Sequence, residues 1–297
     1  MQRFHTEFHV QYDVHQEESV TNEQAVAHSI PRRILQTAKT PPQTVRLEAF
    51  AANLRLLHPG FEFLFYDNTA VEQFIDSEFP EYRAVFDGFL YPIQRYDFFR
   101  YLAVYRLGGF YFDLDVLLAK SLEPLLSAGC VFPFEQISHN PGLRAVCGMD
   151  WELGNYAFGA SAGHPFLKAV INNCIRGQQD PDWVEQIMGG LPPLLRREYY
   201  VLCSTGPALV SRTYAENPEL ARSVHVLFPG DVRDRSGWNG FGEYGVHLMD
   251  GEWRSGKGPI RRRVERVLVD WLRNRALRES AKLGPARNTA SGGSADK

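Results

Sequence analysis

Two aspartates at the end of an apolar segment are the clearest candidates for chemistry in this chain of 297 residues. The segment "GGFYFDLDVLL", residues 108–118, places Asp113 and Asp115 one residue apart. Alternate side chains of a β-strand point to opposite faces, so the pattern predicts that Asp113 and Asp115 share one face with Tyr111. Two adjacent carboxylates repel each other and are costly to bury unless a cation lies between them. The spacing therefore predicts a site for a hard divalent ion, Mg²⁺ or Mn²⁺.

A second charged pair lies just before this segment. Asp97 and Arg100 are three positions apart on a predicted helix, residues 91–109, that ends at Gly108 and Gly109. Residues three apart share a helix face, and a guanidinium suits a phosphate or carboxylate partner. Because ligands of α/β sheets collect at the carboxyl ends of strands, this pair is predicted to lie beside the two aspartates. A purely structural Asp97–Arg100 pair is the alternative.

The elements that would position these residues alternate between strands and helices. Strands are predicted at 29–37, 61–68 and 110–118, and helices at 40–60, 69–79 and 91–109. This order favours an α/β fold with a mainly parallel central sheet and added helices. Residues 1–28 are predicted to form an N-terminal arm, 29–255 one catalytic domain, 256–279 a basic amphipathic helix and 280–297 a disordered tail.

Composition narrows the classes of partner. A formal net charge of −3 gives no reason to expect nucleic acid. Four cysteines without a CxxC pair argue against a thiolate metal site or a disulfide framework. No apolar run reaches the roughly 20 residues that span a bilayer. The chain is expected to be cytoplasmic, either soluble or bound peripherally to a membrane through its basic helix; the Golgi lumen is disfavoured because no anchor or signal is visible.

The segment around the aspartates resembles a known family. "PIQRYDFFRYLAVYRLGGFYFDLDVLLAKSLEPLL", residues 92–126, resembles the DxD-containing sugar-binding region of glycosyltransferase family 32, which is related to initiating mannosyltransferases, capsule glycosyltransferases and large glucosylating toxins. Seven positions match the family pattern in register: Asp97, Arg100, Gly108, Gly109, Tyr111, Asp113 and Asp115. Similar segments are "IPRRILQTAKT" (30–40), "FEFLFYDN" (61–68), "NYAFGASAGHPFL" (155–167), "STGP" (204–207) and "VHLMDGEW" (246–253). The resemblance covers about residues 29–255.

The resemblance implies a GT-A fold, a Rossmann-like domain that binds a nucleotide-diphosphate sugar. It implies a metal-dependent retaining glycosyltransferase that moves a hexosyl group from a UDP- or GDP-sugar to a hydroxyl of a glycan or glycolipid. The implied metal, Mn²⁺ or Mg²⁺, would be held by Asp113, Asp115 and His247. Asp97, Arg100, Asp113 and Asp115 are the implied catalytic residues. The implied donor-binding residues are Gln36, Thr37, Asp67, Asp97, Arg100, Tyr111, Asp113, Asn155, Gly159 and Trp253.

The chain also departs from the family pattern. Leu35 and Ala38 replace the usual His and Trp of the first strand, His247 stands where a His-His doublet is usual, and Glu252 replaces a Ser. The missing Trp leaves the identity of the nucleotide open. Two other functions remain as alternatives: a haloacid-dehalogenase-type phosphatase that uses the DxD aspartates, and an inactive GT-A-like scaffold that binds a sugar nucleotide.

Overall fold

The structure is a computed structural model that describes residues 29–42, 44–248 and 259–282. The predicted N-terminal arm (1–28) lies outside these residues, as do Glu252 and Trp253. Within the described part of the chain, no helix is both long enough and apolar enough to cross a membrane.

Strands and helices alternate along the chain as far as the third strand. The first half contains β1 (Arg33–Thr37), α1 (Val45–Leu57), β2 (Glu62–Tyr66), α2 (Asn68–Glu78), α3 (Arg83–Gly88), α4 (Pro92–Leu107), β3 (Gly109–Phe112) and β4 (Val116–Leu118). The middle contains β5 (Cys130–Ile137), α5 (Pro141–Cys147), β6 (Trp151–Leu153), β7 (Ala157–Ala160), α6 (Pro165–Gln179) and α7 (Pro181–Gln186). The rest contains α8 (Arg196–Ser204), α9 (Pro207–Glu216), α10 (Pro218–Ala221), β8 (His225–Leu227), β9 (Gly245–His247) and α11 (Pro259–Lys282).

The central sheet has seven strands. The path runs β2-β1-β3-β7-β5-β6, and β8 also pairs with β5. The β1–β2, β1–β3 and β5–β8 pairs are parallel, whereas β7 is antiparallel to both β3 and β5. β1, β2, β3, β5 and β8 therefore run in one direction, and β6 and β7 run in the other. The predicted fold class, α/β with a mainly parallel central sheet, is confirmed.

Strand β3 separates two apolar cores. Tyr111 packs with α4 residues such as Phe98 and Leu102 on one face of the sheet. Phe110 and Phe112 pack on the other face, where Leu54 of α1 joins them. Helices thus cover both faces, and β3 is buried along its whole length. A strand that is buried on both faces carries an unbroken apolar sequence, which explains the run "FYF" before the aspartates.

The prediction that the strand extends through both aspartates is wrong. β3 ends at Phe112, whose partner Ala157 is the first residue of β7. One further contact follows, from the Asp113 N–H to the carbonyl of the opposite residue Tyr156 at 2.7 Å, and the chain then turns, with the Val116 N–H donating to the Asp113 carbonyl at 3.3 Å. Asp113 and Asp115 therefore lie in the turn between β3 and β4. Loop carboxylates at a strand end remain reachable from solvent, unlike those of a central strand.

The tight junction between α4 and β3 depends on glycine. Gly108 and Gly109 have φ values of 66° and 111°, a region that side chains with a Cβ rarely enter. A Cβ on Gly109 would lie 2.7 Å from the carbonyl oxygen of Arg33. This junction lets α4 fold back against β3, which brings Asp97 and Arg100 to the carboxyl end of the strand.

Candidate active site

Three potential metal ligands meet at the carboxyl end of β3. Asp113, Asp115 and His247 each offer one ligand atom, and these atoms all lie within 4.8 Å of one another. β4 and β9 pair so that His247 lies opposite Val116, the residue that follows Asp115. His247 Nε2 is 3.2 Å from Asp115 Oδ1. A pairing across 131 positions of sequence thus completes the cluster that the DxD segment begins.

The electrostatics of this cluster suit a cation. Burial lowers the pKa of His247, but the hydrogen bond that its ring donates to Asp115 and the charges of Asp115 and Asp113 outweigh that effect, so the net shift is upward. A group whose protonated form is favoured by its neighbours sits in a negative field, and that field equally attracts a metal ion. Two carboxylates and one imidazole are ligands that a divalent cation can use. The side chains of Asp115 and His247 are each 15% exposed, which leaves an opening to solvent.

His247 is also fixed by its neighbours. Its ring stacks on Tyr156, with centroids 4.4 Å apart and an angle of 20°. The Tyr156 hydroxyl donates to the Gly240 carbonyl at 2.9 Å, which anchors the ring beneath the imidazole. His247 Nδ1 is buried and meets no hydrogen-bond partner in the described part of the chain. The stacking leaves Nε2 as the nitrogen that faces the carboxylates.

Arg100 of α4 forms ion pairs both with Asp97 of the same helix and with Asp113 of the DxD turn. Its Nη2 is 3.2 Å from Asp97 Oδ1, and its Nη1 is 3.3 Å from Asp113 Oδ1. Nη1 also donates to the carbonyl oxygen of Asn155 at 2.9 Å, and the guanidinium lies 4.7 Å from the centroid of the Tyr111 ring. The predicted structural Asp97–Arg100 pair is therefore present, and the same guanidinium offsets the charge of the first DxD carboxylate. Arg100 Nε is buried and has no hydrogen-bond partner within the described ranges.

Asp97 is a buried carboxylate held by two neutral donors. The Thr205 hydroxyl donates to Oδ2 at 2.9 Å, and Asn155 Nδ2 donates to Oδ1 at 3.2 Å. Burial raises the pKa of Asp97 to about 6, although Arg100, Thr205 and Asn155 all act to lower it. The structure thus brings together Asp97 and Arg100 of α4, Asp113 of the DxD turn and Asn155 between β6 and β7, from three separate segments.

Tyr111 contacts the site by a hydrogen bond to Asp113. Its hydroxyl donates to Asp113 Oδ1 at 2.7 Å, while its ring is buried in the core beside Leu35. Leu35, which replaces the usual family His, is itself only 1% exposed. Tyr111 is placed to orient a carboxylate, and Leu35 to pack against it.

Three other predicted donor-binding residues, Gln36, Thr37 and Asp67, lie in or just after strands β1 and β2. Thr37 ends β1, and its hydroxyl donates to the Tyr66 carbonyl at 2.8 Å. Asp67 follows β2 and caps α2 by accepting from the Ala70 N–H at 2.8 Å. Gln36 is partly buried in β1, opposite Phe65. These three residues lie at the carboxyl ends of neighbouring parallel strands, with the Thr37 and Asp67 side chains already engaged in local structure.

Gly159, a predicted donor-binding residue, packs against the face of the sheet opposite to Tyr111. It pairs with Phe110 across β3 and β7, so its α-carbon faces the core opposite to Tyr111. A Cβ at Gly159 would meet the Phe110 ring at 2.4 Å. Packing against Phe110 accounts for a glycine at this position. The contact of Gly159 with the donor stays a prediction. Trp253, the remaining predicted donor contact, lies outside the described residues.

Sequence reasoning missed two residues that complete the polar network. Thr205 lies in the "STGP" segment, which resembled the family but suggested no specific role. Tyr101 lies one helical turn after Asp97, and its hydroxyl donates to the Thr205 carbonyl at 2.8 Å and accepts from Asn155 Nδ2 at 2.9 Å. The spacing of Asp97 and Tyr101 was a usable signal, because residues four apart share a helix face.

Comparison with known proteins places this geometry in context. Residues 44–132 match the family described as a glycosyltransferase sugar-binding region containing a DXD motif. Inositol phosphoceramide mannosyltransferase 3 of Schizosaccharomyces pombe is 30% identical over 55% of this chain and 42% of its own length. Mannosyl phosphorylinositol ceramide synthase CSH1 of Saccharomyces cerevisiae is 27% identical over 69% of this chain and 49% of its own length. The predicted family resemblance is confirmed, and the chain spans less than half the length of these two relatives.

Among solved structures, the chain is similar to a protein described as PaToxG Glycosyltransferase. The TM-score is 0.43 and the identity 14%, over 68% of this chain and 81% of the other.

Proposed function

We propose that this chain is a metal-dependent retaining glycosyltransferase that moves a hexosyl group from a UDP- or GDP-sugar to a hydroxyl of a glycan or glycolipid. The observation that carries the proposal is the cluster of Asp113, Asp115 and His247, within 4.8 Å, inside and beside a matched DXD region. A phosphatase that used Asp113 as a nucleophile would gain nothing from a histidine ligand brought in by β9.

The metal site supplies charge neutralisation. A divalent cation held by Asp113, Asp115 and His247 would stabilise the negative charge that develops on the departing nucleotide diphosphate. Tyr111 and Arg100 contact Asp113 and fix its position, so this ligand is oriented before the cation binds. A preorganised carboxylate does not have to reorient when the charge develops.

The Asp97–Arg100 pair is proposed to hold the donor sugar. Each carboxylate oxygen has two lone pairs, so Asp97 can accept a sugar hydroxyl besides its bonds from Thr205 and Asn155. Arg100 already pairs with both Asp97 and Asp113, and it carries the positive charge that a phosphate approaching this site would meet. Both side chains are buried, which keeps their geometry fixed before the donor binds.

The relatives favour a mannosyl donor and a lipid acceptor as the first pair to test. Their names describe mannosylation of inositol phosphoceramide. The acceptor hydroxyl would approach from the solvent side of the DxD turn, where the Asp113 side chain is 28% exposed. Retention of configuration follows from the family resemblance, and the anomeric configuration of the product by NMR tests it.

The first experiment is calorimetric titration of UDP and GDP in Mn²⁺ and in chelator, with wild type and Asp115→Ala. Binding of one nucleotide that needs Mn²⁺ and is lost in Asp115→Ala supports the site and identifies the donor class. Asp76→Ala removes a carboxylate on α2 with a 63% exposed side chain and serves as the matched control, with binding unchanged. Absence of binding for both nucleotides under every condition overturns the proposal.

Turnover separates the remaining alternatives. The transferase releases free nucleotide from a sugar nucleotide only in the presence of metal. A phosphatase would instead cleave phosphomonoesters and leave sugar nucleotides intact, and an inactive scaffold would bind the nucleotide without releasing sugar.

A further inference from the structure

The helix α11 carries a stripe of exposed apolar side chains. Ile260, Val264, Val267 and Trp271 are 80%, 50%, 64% and 51% exposed. Their spacing of four, three and four residues places all four on one face of the helix. Single exposed apolar residues are ordinary on a protein surface, but a continuous stripe of this kind marks an interaction site.

The opposite face of α11 docks on the protein. Glu265, Leu272 and Ala276 are 6%, 7% and 5% exposed, and Arg273 Nε donates to Gln136 Oε1 of β5 at 3.0 Å. Asp270 pairs with Arg235 at 2.7 Å. The helix is therefore held by Leu272 and Ala276, which join the apolar cores, together with these polar contacts. Its apolar stripe lies on the other face.

Charge on α11 is strongly positive. The helix contains eight basic and three acidic residues, which gives it a net charge of +5 in a chain whose net charge is −3. Each of the three acidic side chains already pairs with an arginine: Glu265 with Arg261, Asp270 with Arg235, and Glu279 with Arg275. Arg263, Arg266 and Arg278 are exposed and form no ion pair with any residue that the structure describes.

We propose that α11 binds the surface of a bilayer that contains anionic lipids, with the apolar stripe inserted among the acyl chains. The positive charge around the stripe favours an anionic lipid surface as its partner. Arg263 and Arg275 flank the stripe on its two sides, and Arg278 lies on the same face two turns beyond Trp271. A helix with one apolar face and cationic flanks lies in the interface plane, with its apolar side chains down and its guanidiniums at the headgroups. Trp271, with Arg275 5.9 Å from its ring, is suited to the headgroup boundary.

The proposal is independent of the proposed transferase activity, because it involves none of the site residues. Its test is flotation of the full chain with phosphatidylcholine vesicles, with and without phosphatidylserine. We expect binding only to the anionic vesicles, with about a tenfold loss when salt is raised to screen the guanidiniums.

Two sets of variants test the two contributions separately. Combined Val264→Ser, Val267→Ser and Trp271→Ser should reduce vesicle binding about tenfold or more. Val45→Ser with Leu56→Ser, which are 84% and 81% exposed on α1, should leave it unchanged. Combined Arg263→Glu, Arg266→Glu and Arg278→Glu should abolish the preference for anionic vesicles, whereas Arg222→Glu with Arg233→Glu on other surfaces should not.

Insertion of Trp271 among the acyl chains can be measured by the quenching of tryptophan fluorescence. Brominated lipid should quench the emission of wild type, and Trp271→Phe should remove that quenching while binding persists. Failure to bind anionic vesicles overturns the proposal, as does binding that the stripe variant leaves intact. If light scattering instead shows a dimer that the stripe variant dissociates, and no vesicle binding, the stripe is an interface between two copies and the lipid proposal is wrong.

Discussion

Thr205 and Asp97 are 108 positions apart in the sequence, and the Thr205 hydroxyl donates to Asp97 Oδ2 at 2.9 Å. The bond matters because Asp97 is buried, and burial raises the pKa of its carboxyl group. Thr205, Asn155 and Arg100 counter that effect, and the pKa of Asp97 settles at about 6. Thr205 therefore helps to hold the charge on a carboxylate of the proposed donor site.

Removal of this bond should shift the pH dependence of donor binding. Thr205→Val keeps the shape of the side chain but removes the donor, so the pKa of Asp97 should rise further. Nucleotide-sugar binding in wild type should weaken as pH falls through about 6, because Asp97 becomes protonated. In Thr205→Val the midpoint of that loss should move to higher pH, as measured by titration calorimetry across a pH series. Thr205→Ser retains the hydroxyl and should follow wild type; an unshifted midpoint in Thr205→Val would show that Asp97 does not control binding.

The sequence predicts much of this arrangement because its key contacts are local. Asp97 and Arg100 share a helix face, Gly108 and Gly109 reverse the chain, and the DxD segment follows at once. The apolar run "FYF" also predicts a buried strand, although not where that strand ends. The end of β3 depends on Ala157 of β7, a long-range pairing that no local pattern contains. The face of the sheet on which Gly159 packs is likewise set by its pairing with Phe110, another long-range contact.

A second prediction concerns the orientation of the metal ligand Asp113. Tyr111→Phe removes the hydroxyl that donates to Asp113 Oδ1 but keeps the ring against Arg100. Loss of a hydrogen bond that orients a ligand weakens metal binding by about tenfold or more. We expect that loss for Mn²⁺ in a calorimetric titration, together with a thermal unfolding midpoint close to that of wild type.

The control for this prediction is Tyr96→Phe, which removes a hydroxyl that donates to Asn68 away from the metal cluster. It should bind Mn²⁺ as wild type does. Equal Mn²⁺ affinity in Tyr111→Phe and wild type would contradict the orienting role of Tyr111.

A third prediction tests the packing role of Gly159. In Gly159→Ala the added Cβ would meet the Phe110 ring at 2.4 Å, inside a core that has no room for it. Overpacking of this kind costs about 1–3 kcal/mol in the free energy of unfolding. Gly60→Ala is the matched control, because no atom lies within 4 Å of its added Cβ, and its stability should change little. Denaturant unfolding measures both; a fully stable Gly159→Ala with weaker donor binding would support the donor-binding role instead.

The last prediction concerns Glu152, a buried carboxyl group of β6 away from the DxD turn. Burial raises the pKa of Glu152 from 4.5 to about 7, although a hydrogen bond from the Ser138 hydroxyl at 2.6 Å acts to lower it. The folded state therefore binds a proton that the unfolded state releases as pH rises above 4.5. The free energy of unfolding should decline between pH 4.5 and about 7 for this reason, by about 3 kcal/mol from the shift in pKa.

Buried His139 contributes the opposite slope. Burial lowers the pKa of His139 to about 3. Below pH 6.5 the unfolded state therefore binds a proton at His139 that the folded state does not bind, and the free energy of unfolding falls as pH falls. The two effects overlap, and the wild-type curve alone does not separate them. The difference between Glu152→Gln and wild type does, because His139 contributes equally to both. That difference should grow in favour of Glu152→Gln as pH rises from about 4.5 to about 7 and then level off. Urea unfolding at a series of pH values measures it, with the exposed Glu81→Gln as a control that should give a flat difference; a flat difference for Glu152→Gln as well would mean that Glu152 is ionised throughout in the folded protein.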